Sequence, residues 1–448
     1  MDILPLLACL RPTLSATTVR HLHQIVLALL TISGRVTMLG LARWAGSGGS
    51  YRTIQRFFAT VVPWASVFWL FFRQHVYAPE EVYILAGDEV VITKAGKTTP
   101  GLDRFFSGLL QRPVPAVAFF SLALVSTTTR RAFPLRLEQV IRSAEEKAAS
   151  KAKAAAKKTA TSAKRPPGRP KGSRNQPKTA LPLSPELQRI QTMLQAQLTL
   201  LKGMVPLVYL TLDGHFGNSP TVQMVRACGL HLISKLRCDV ALYAPYDGPY
   251  AGRGPRRKYG AKLDLAALPA AYLRETTVSA DVETRIYQAQ LLHKDFAAPL
   301  NVVVIHKTNR ATQATAHVVL FSSDLALGYT QLIDYYSLRF QIEFTFRDAK
   351  QYWGLEDFMN VTETGVTNAA NLALFMVSLS AVLLRERHAS DPTASVLDLK
   401  AAYRGEKYVR ETIKLLPQPP DANLMQRIVR QVARLGRIHA EPPVTNAA

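Results

Sequence analysis

Residues 335–353, YYSLRFQIEFTFRDAKQYW, carry the strongest structural signal in the chain. Their apolar side chains recur at helical spacing, which predicts one continuous α-helix. At about 100° per residue, four polar side chains share one narrow stripe: Tyr336, Arg339, Glu343 and Lys350. The adjacent apolar face comprises Leu338, Ile342, Phe346, Ala349 and Trp353. One face therefore packs against a core, while the next presents an acid between cations and a phenol.

An exposed helix face with ordinary charge pairing explains part of this stripe. Arg339 and Glu343 are four residues apart, a spacing at which opposite charges pair on any helix surface. Such pairing does not account for Tyr336 and Lys350, which continue the same line in both directions. Asp348 lies off the stripe and is therefore a poor substitute for Glu343.

Two further acids stand at the ends of apolar, strand-like runs. Asp88 closes VYILAGD at residues 82–88, and Asp213 closes LVYLTLD at residues 207–213. An ionised carboxylate at the end of a buried strand costs desolvation energy unless it is paired or bound to a metal. Each acid could instead begin an ordinary turn, and at this point both interpretations stay open.

The stripe resembles a known signature. Tyr336-x2-Arg339-x3-Glu343-x6-Lys350 is similar to the Y-(2)-R-(3)-E-(6)-K motif of DDE transposases of the IS4-type superfamily. Asp88 and Asp213 resemble that family's first and second acids in context and order. The resemblance covers roughly residues 80–385. It implies an RNase H-like catalytic core, with a β-rich insertion between the second acid and the signature helix.

The resemblance also implies a site. Asp88, Asp213 and Glu343 would be catalytic residues that bind two Mg²⁺ or Mn²⁺ ions, while Tyr336, Arg339 and Lys350 would hold DNA phosphates. Two-metal cleavage of a phosphodiester requires hard oxygen ligands, which three carboxylates can supply. No other cofactor is implied.

We expect an α/β protein with helical regions at both ends. The predicted parts are a helical N-terminal DNA-binding domain (1–79), three parts of the RNase H-like core (80–140, 183–240 and 326–385), a basic disordered insertion (141–182), a β-rich insertion (241–325) and a helical, basic C-terminal region (386–448). Within the first part, two helices around residues 46–50 suit either a helix-turn-helix carrying Arg52 and Arg56 or a plain helical hairpin. Ser184 and Pro185 predict the start of a core helix.

The formal net charge of +23 points to an anionic partner. Residues 142–180 hold 12 Lys/Arg against two Glu and almost no large apolar residue, so we predict mostly disorder there, with a frayed helix at the start. Residues 164–172, KRPPGRPKG, resemble an AT-hook. Arg169 would enter an A·T minor groove while Arg165 and Lys171 follow the phosphates. Generic phosphate attraction is the alternative.

Other candidate DNA contacts lie near the acids. They are Lys94, Lys97, Arg237 and the cluster Arg253, Arg256, Arg257 and Lys258, each of which could equally be an ordinary solvated cation. Phe340 could stack on a displaced base, although a buried core position is the favoured interpretation.

Three scattered cysteines without a CxxC pair favour a reducing compartment and no structural zinc. Two apolar runs, residues 61–72 and 366–384, are predicted to be core helices rather than membrane spans, because proline or polar residues interrupt them. We therefore expect a cytoplasmic, nucleoid-associated bacterial protein with no membrane partner.

The leading hypothesis is a cut-and-paste transposase. It would bind terminal inverted repeats, cleave at the ends of an insertion sequence and join them to target DNA, and the resemblance implies a homodimer in the nucleoprotein complex. A non-catalytic, repurposed transposase-derived DNA-binding protein is the alternative. A basic protein of membrane surfaces is a third class.

Overall fold

A large mixed β-sheet forms the centre of the computed structural model, which describes residues 3–108, 110–159, 178–250, 252, 254–418 and 420–439. The chain is therefore a mixed α/β protein, as predicted. The strands are β1 (Tyr83–Thr93), β2 (Asp103–Ser107), β3 (Arg112–Ser126), β4 (Ala132–Gln139), β5 (Tyr209–Thr211), β6 (His231–Leu236), β7 (Tyr243–Pro245), β8 (Tyr259–Lys262), β9 (Leu273–Ser279), β10 (Val282–Leu291), β11 (Leu300–Asn309) and β12 (Thr315–Ser322).

Helices cover the sheet and, in the described part of the chain, both precede and follow its strands. They are α1 (Leu4–Leu7), α2 (Ala16–Thr31), α3 (Met38–Trp44), α4 (Tyr51–Ala59), α5 (Trp64–His75), α6 (Ala144–Thr159), α7 (Pro185–Leu201), α8 (Ser219–Ala227), α9 (Tyr329–Leu338), α10 (Phe340–Trp353), α11 (Glu363–His388), α12 (Val396–Ile413) and α13 (Ala422–Arg434). Short 3-10 turns cover Ala8–Leu10, Gly214–Phe216 and Ala270–Tyr272. Ser184 caps α7 by accepting the Leu187 N–H, which confirms the predicted start of that helix.

The main sheet has the order β2-β3-β1-β5-β6-β12-β11-β10-β9, with β4 also paired to β3. Strands β1, β5 and β6 are parallel to one another, and the remaining pairs are antiparallel. Their carboxyl ends therefore lie at one edge of the sheet, where ligands commonly bind in α/β proteins. This mixed sheet with flanking helices is consistent with an RNase H-like core.

Residues 241–325, predicted as a β-rich insertion, mostly extend the core sheet. β12 pairs with β6, with Val319 opposite Leu236 and Phe321 opposite Ser234. β11 and β10 follow beyond it, and their apolar side chains enter the same core as those of β5 and β6. The segment is rich in strands, as predicted, and among its described residues only β7 and β8 form a small sheet apart from the main one.

The N-terminal helices share one hydrophobic core with β1, β3 and helices α10–α12. Asn368, buried in α11, makes the polar link between them. Its carbonyl oxygen accepts the Trp64 indole N–H at 2.8 Å, and its amide donates to the carbonyls of Phe58 and Thr60 at 3.0 and 2.7 Å. Helices α3 and α4 flank a glycine-rich turn as predicted, and α4 exposes Arg52 and Arg56.

The basic segment 141–182 begins with a helix, as predicted. Ala144–Thr159 forms helix α6, with Glu145 and Glu146 in its first turn, where acids are favourable. Glu146 also pairs with Arg189 of α7 at 2.8 Å, which ties the helix start to the core. The AT-hook-like residues Arg165, Arg169 and Lys171 lie outside the described residues.

The longest apolar helix, α11, passes a length and composition test for a membrane span, and so do α4 and α5 taken together, despite a bend of 101° between them. In the fold, 83% of the most apolar window of α11 is buried. Its environment is that of a core helix.

Candidate active site

Asp88 lies in the middle of β1 and does not close it. The strand continues to Thr93 because its pairing with β3 is unbroken, with Asp88 opposite Ser121. On its other side β1 pairs with β5 only at Leu85 and Ala86. Asp88 therefore lies just beyond the point where the parallel partner ends, and the prediction that it ends a strand was wrong in this respect.

Asp213 lies two residues beyond the end of β5, the parallel neighbour of β1. Ala86 is opposite Thr211, and Asp213 is close enough to Asp88 for its charge to raise the pKa of the Asp88 carboxyl. The Asp213 carboxylate accepts the N–H of His215 at 3.1 Å, and its carbonyl accepts the hydroxyl of Ser234 at 2.7 Å. These bonds fix the turn after β5 against β6, so that Asp213 faces the carboxyl edge of the parallel strands.

Arg339 joins the first acid to the third. Its Nη1 donates to Oδ2 of Asp88 at 2.8 Å, and its Nη2 donates to Oε1 of Glu343 at 2.9 Å. The guanidinium is almost fully buried, and its Nε has no hydrogen-bond partner within the described ranges. Glu343 keeps 45% of its side chain exposed, so the cluster opens to solvent on the α10 side.

The signature helix breaks at Arg339, which corrects the prediction of one continuous helix. α9 ends at Leu338 and α10 begins at Phe340, while Arg339 keeps helical angles (φ −52°, ψ −37°). Its N–H bonds the carbonyl of Tyr336, three residues back, so the turn is tighter than an α-helix. The tightened turn lies at the residue that reaches both carboxylates.

Burial dominates the electrostatics of Asp88. Desolvation raises the pKa of its carboxyl to about 6, Asp213 and Glu343 add to the rise, and Arg339 opposes it. Burial works against the charge of Arg339, yet Asp88 and Glu343 raise its pKa. The guanidinium thus stays charged and offsets carboxylates that would otherwise repel each other.

Tyr336 and Lys350, the other two residues of the stripe, lie in different environments. The Tyr336 ring lies 6.0 Å from the guanidinium carbon of Arg339, beside the acids. Lys350 instead donates to the carbonyl of Val91 at 3.2 Å and pairs with Glu356 at 3.0 Å. Tyr336, Arg339 and Glu343 therefore meet at the cluster, whereas Lys350 holds α10 against the second half of β1.

Phe340 is 49% exposed, so its interpretation as a core residue was wrong. Arg339 lies over its ring at 4.7 Å. Sequence reasoning missed a second exposed aromatic residue, Phe344, whose ring lies 4.8 Å from the guanidinium of Arg347. Their four-residue spacing on a helix was the available signal.

The three remaining cations differ in their environments. Lys94 donates to the carbonyls of Glu356 and Phe358, each at 2.9 Å, and lies 3.5 Å over the Phe358 ring. Burial lowers its pKa to about 8. Lys94 is therefore a structural link, and its predicted phosphate contact does not fit this geometry. Lys97 is exposed, and Arg237 pairs with Asp239 at 2.9 Å on the surface.

The donor set of the cluster suits a hard divalent cation. Carboxylate oxygens are the ligands that Mg²⁺ prefers, and Asp88, Asp213 and Glu343 supply them from three chain segments. The guanidinium occupies the space between Asp88 and Glu343. Among the described residues, no three His, Cys, Asp or Glu side chains are close enough to share one ion as they stand. An ion shared by Asp88 and Glu343 would compete with the guanidinium of Arg339 for their oxygens.

Comparison with known protein families places these observations in context. Residues 6–293 match the family described as DDE superfamily endonuclease. The match includes Asp88 and Asp213 and ends before Glu343. No curated protein gives a significant match to the sequence. Because the family match covers more than half of the 448 residues, the chain belongs to the DDE superfamily endonucleases, a nuclease family whose substrate is DNA.

Proposed function

We propose that this endonuclease is the transposase of an insertion sequence of the IS4 type. It cleaves double-stranded DNA at the terminal inverted repeats of the element and transfers the ends to target DNA. The observation that supports this proposal best is the meeting of Asp88, Glu343 and Arg339, with Asp213 near Asp88 just after the next parallel strand. Three carboxylates from separate segments are what two-metal phosphodiester chemistry requires.

Asp88, Asp213 and Glu343 would hold two Mg²⁺ or Mn²⁺ ions. When bound, these ions activate water or a 3′-hydroxyl and stabilise the leaving oxygen. Family membership supports a divalent metal in general, while the number of ions and their ligands are part of this proposal.

The chain's own residues orient the substrate around these carboxylates. A guanidinium displaced from Asp88 and Glu343 has its five donors free for a phosphate, and the nearby Tyr336 hydroxyl can donate to the same group. Phe340 presents an exposed ring beside them, on which an unpaired base can stack. Lys350 binds α10 to β1, the strand that carries Asp88.

Recognition of the element ends belongs to other surfaces. Helix α4 presents Arg52, Gln55 and Arg56 on its exposed side after a glycine-rich turn, as a recognition helix does. Lys97 and Arg237 add exposed cations near the acids, and the AT-hook-like residues would add minor-groove contacts. We further propose a homodimer within the nucleoprotein complex and a cytoplasmic, nucleoid-associated protein.

The alternative is a repurposed transposase that binds DNA without cleaving it. Asp213→Asn separates the two functions, because it keeps the shape of the side chain and removes its charge. The substrate is a plasmid carrying the DNA that flanks the coding sequence on both sides. Wild type should cut near the ends of this DNA in Mg²⁺, and the variant should bind it as tightly without cutting. Cleavage by the variant at the wild-type rate would show that Asp213 is not a catalytic residue. Absence of cleavage by wild type would favour a protein that binds DNA without cleaving it.

A further inference from the structure

Three basic side chains of α12 each reach the carboxyl end of a different helix. Lys400, Arg404 and Lys407 follow one another at intervals of four and three residues, so they lie on one side of α12. We name this set the α12 brace, and we propose that it positions helix α10, with its proposed catalytic acid, and helices α3 and α4, which are proposed to recognise DNA ends. The inference rests on the proposed function, since it assigns residues that hold the proposed machinery in place.

Lys400 is the member of the brace at α10. Its Nζ donates to the carbonyl of Tyr352 at 3.1 Å and lies 4.8 Å from the centre of the Trp353 ring. Both residues belong to the last turn of α10, and the final carbonyls of a helix have no partner inside it. Lys400 is 8% exposed, and burial lowers its pKa to about 8, with Arg404 adding to this effect. Burying a cation is costly unless it has a partner, so this contact fixes the end of α10 against α12.

Arg404 and Lys407 make the same kind of contact with two N-terminal helices. Arg404 donates to the carbonyls of Thr31 and Ile32, at 2.9 and 3.3 Å, at the end of α2. Lys407 donates to the carbonyl of Trp44, the last residue of α3. A cation at the carboxyl end of a helix also interacts favourably with the helix dipole. The α12 brace therefore stabilises the ends of three helices that lie far apart in the sequence.

The contact at α3 lies next to the turn that leads into α4. The rings of Trp44 and Tyr408 lie 5.9 Å apart between their centres. A groove of 510 Å³ at this place is lined by Lys407 of the brace and by Gly46 and Ser47 of the glycine-rich turn. The end of α3, from which the chain turns into α4, is therefore held by α12.

α12 is itself anchored at its amino end. Asp398, which is fully buried, accepts the N–H of Ser395 at 2.9 Å and that of Ile438 at 2.7 Å. Asp391, in the turn before α12, pairs with Arg437. These bonds join the start of α12 to the segment that follows α13. The brace thus stands on a helix that is fixed independently of α3 and α10.

The two ends of the brace bear on different steps of the proposed reaction. α10 carries Glu343, so the contact of Lys400 affects the alignment of the acids. α3 leads into α4, so the contact of Lys407 affects DNA affinity. A displacement of about 1 Å in a catalytic group can lower a rate about a hundredfold, whereas a displaced surface helix loses its own DNA contacts. Lys400 and Lys407 are therefore positioning residues with separable effects.

The test compares three single variants of the full chain, Lys400→Met, Lys407→Met and, as the control, Lys414→Met. Each loses one positive charge, and Lys414 is exposed just after α12, where it pairs with Glu411. Affinity for a fluorescein-labelled fragment of the DNA that flanks the coding sequence is measured by anisotropy in EDTA. The nicking rate of a plasmid carrying that DNA is measured in Mg²⁺ at saturating protein, and thermal melting shows whether each variant folds.

We expect Lys400→Met to lower the nicking rate by about tenfold or more, with a DNA affinity close to that of wild type. Lys407→Met should instead weaken DNA binding severalfold and lower the nicking rate less than Lys400→Met does. Lys414→Met should resemble wild type in both measurements. Lys400→Arg should restore most of the rate, because a guanidinium can donate to the same carbonyl.

Hydrogen exchange provides a readout that does not depend on activity. Lys400→Met should speed exchange of the amides at residues 349–355, at the end of α10, and leave those at residues 38–45, in and just after α3, as in wild type. Lys407→Met should show the reverse pattern, because each lysine holds a different helix end.

Several results would overturn the proposal. One is a loss of rate and affinity in the same proportion in both brace variants, which is the behaviour of an ordinary packing helix. Another is nicking by Lys400→Met at the wild-type rate. If Lys400→Met and Lys400→Gln both fail to fold, the lysine serves folding alone and has no positioning role. Wild type that neither binds nor nicks this DNA would defeat the proposed function itself.

Discussion

Nη1 of Arg339 donates to Oδ2 of Asp88 across 2.8 Å, which links the start of α10 to the middle of β1. The same guanidinium reaches Glu343, so a single buried cation holds two carboxylates that lie 255 residues apart in sequence. Removing the cation leaves the largely buried Asp88 carboxylate without its ion-pair partner and with the Glu343 carboxylate nearby.

The first prediction concerns Arg339→Ala. Removing one partner of a buried ion pair costs about 3 kcal/mol or more, so the free energy of unfolding should fall by that amount in urea titrations. Arg347→Ala is the matched control, since its side chain is 60% exposed and pairs with Asp348. It should change the free energy by about 0.5 kcal/mol or less. Equal losses of unfolding free energy in both variants would show that the ion pairs of Arg339 with Asp88 and Glu343 contribute no specific stability.

The second prediction concerns pH and Asp88. In the folded, ion-free protein its pKa is about 6, against 3.8 for an ordinary aspartate. Between these values the folded state keeps a proton that the unfolded state has lost, so this group makes stability fall as pH rises from 4 to 6. Asp88→Asn removes this effect. In EDTA, the unfolding free energy of the variant minus that of wild type should therefore grow by about 2 kcal/mol from pH 4 to pH 7.

The opposite slope would contradict this electrostatic account. If Arg339 lowered the pKa of Asp88 more than burial raises it, wild type would gain stability relative to the variant as pH rises.

The third prediction separates two neighbouring lysines. Lys94→Ala should lower the free energy of unfolding by about 1–3 kcal/mol, because the carbonyls of Glu356 and Phe358 lose their donor. Its DNA affinity should stay within about twofold of wild type once folded. Lys97→Ala should leave stability unchanged and weaken DNA binding in a salt-dependent way. Thermal melting measures the stability of both variants, and anisotropy measures their DNA affinity. Weaker DNA binding by Lys94→Ala together with lower stability of Lys97→Ala would refute the structural role of Lys94 and the DNA contact of Lys97.

The fourth prediction concerns Phe340. Because its ring is half exposed, Phe340→Ala should change stability little. Loss of one stacked base should weaken binding of a single-stranded oligonucleotide by about tenfold. Phe106→Ala, at an aromatic residue 57% exposed on β2, is the control and should bind like wild type. If the two variants bind the single strand equally well, Phe340 has no stacking role.

The sequence was most informative where the signal was local. Helical spacing put Arg339 and Glu343 on one stripe, and these two residues do pair. The start of α7 at Pro185 followed from a serine cap and a proline, which act within one turn. Mixed α/β architecture followed from the alternation of strand-like and helical runs.

Features that depend on distant pairing could not be predicted in this way. β1 runs past Asp88 because β3 pairs with it along its whole length. β12 joins the core sheet because β6 offers a free edge about 80 residues earlier in the chain. Lys94 is held by carbonyls of residues 356 and 358. In each case the partner is set by tertiary packing, which leaves no periodicity in the sequence.

Glu343 is the third member of the proposed catalytic set. Because the family match ends at residue 293, that match does not cover Glu343, and its role needs a test of its own. The most direct test compares Glu343→Gln with Asp348→Asn, a neighbouring acid on α10 that pairs with Arg347. Nicking of a supercoiled plasmid that carries the flanking DNA is followed in Mg²⁺ and in EDTA. We expect Asp348→Asn to nick like wild type in Mg²⁺, and Glu343→Gln to lose about a hundredfold or more of the rate while remaining folded. Nicking by Glu343→Gln at the wild-type rate would contradict the account.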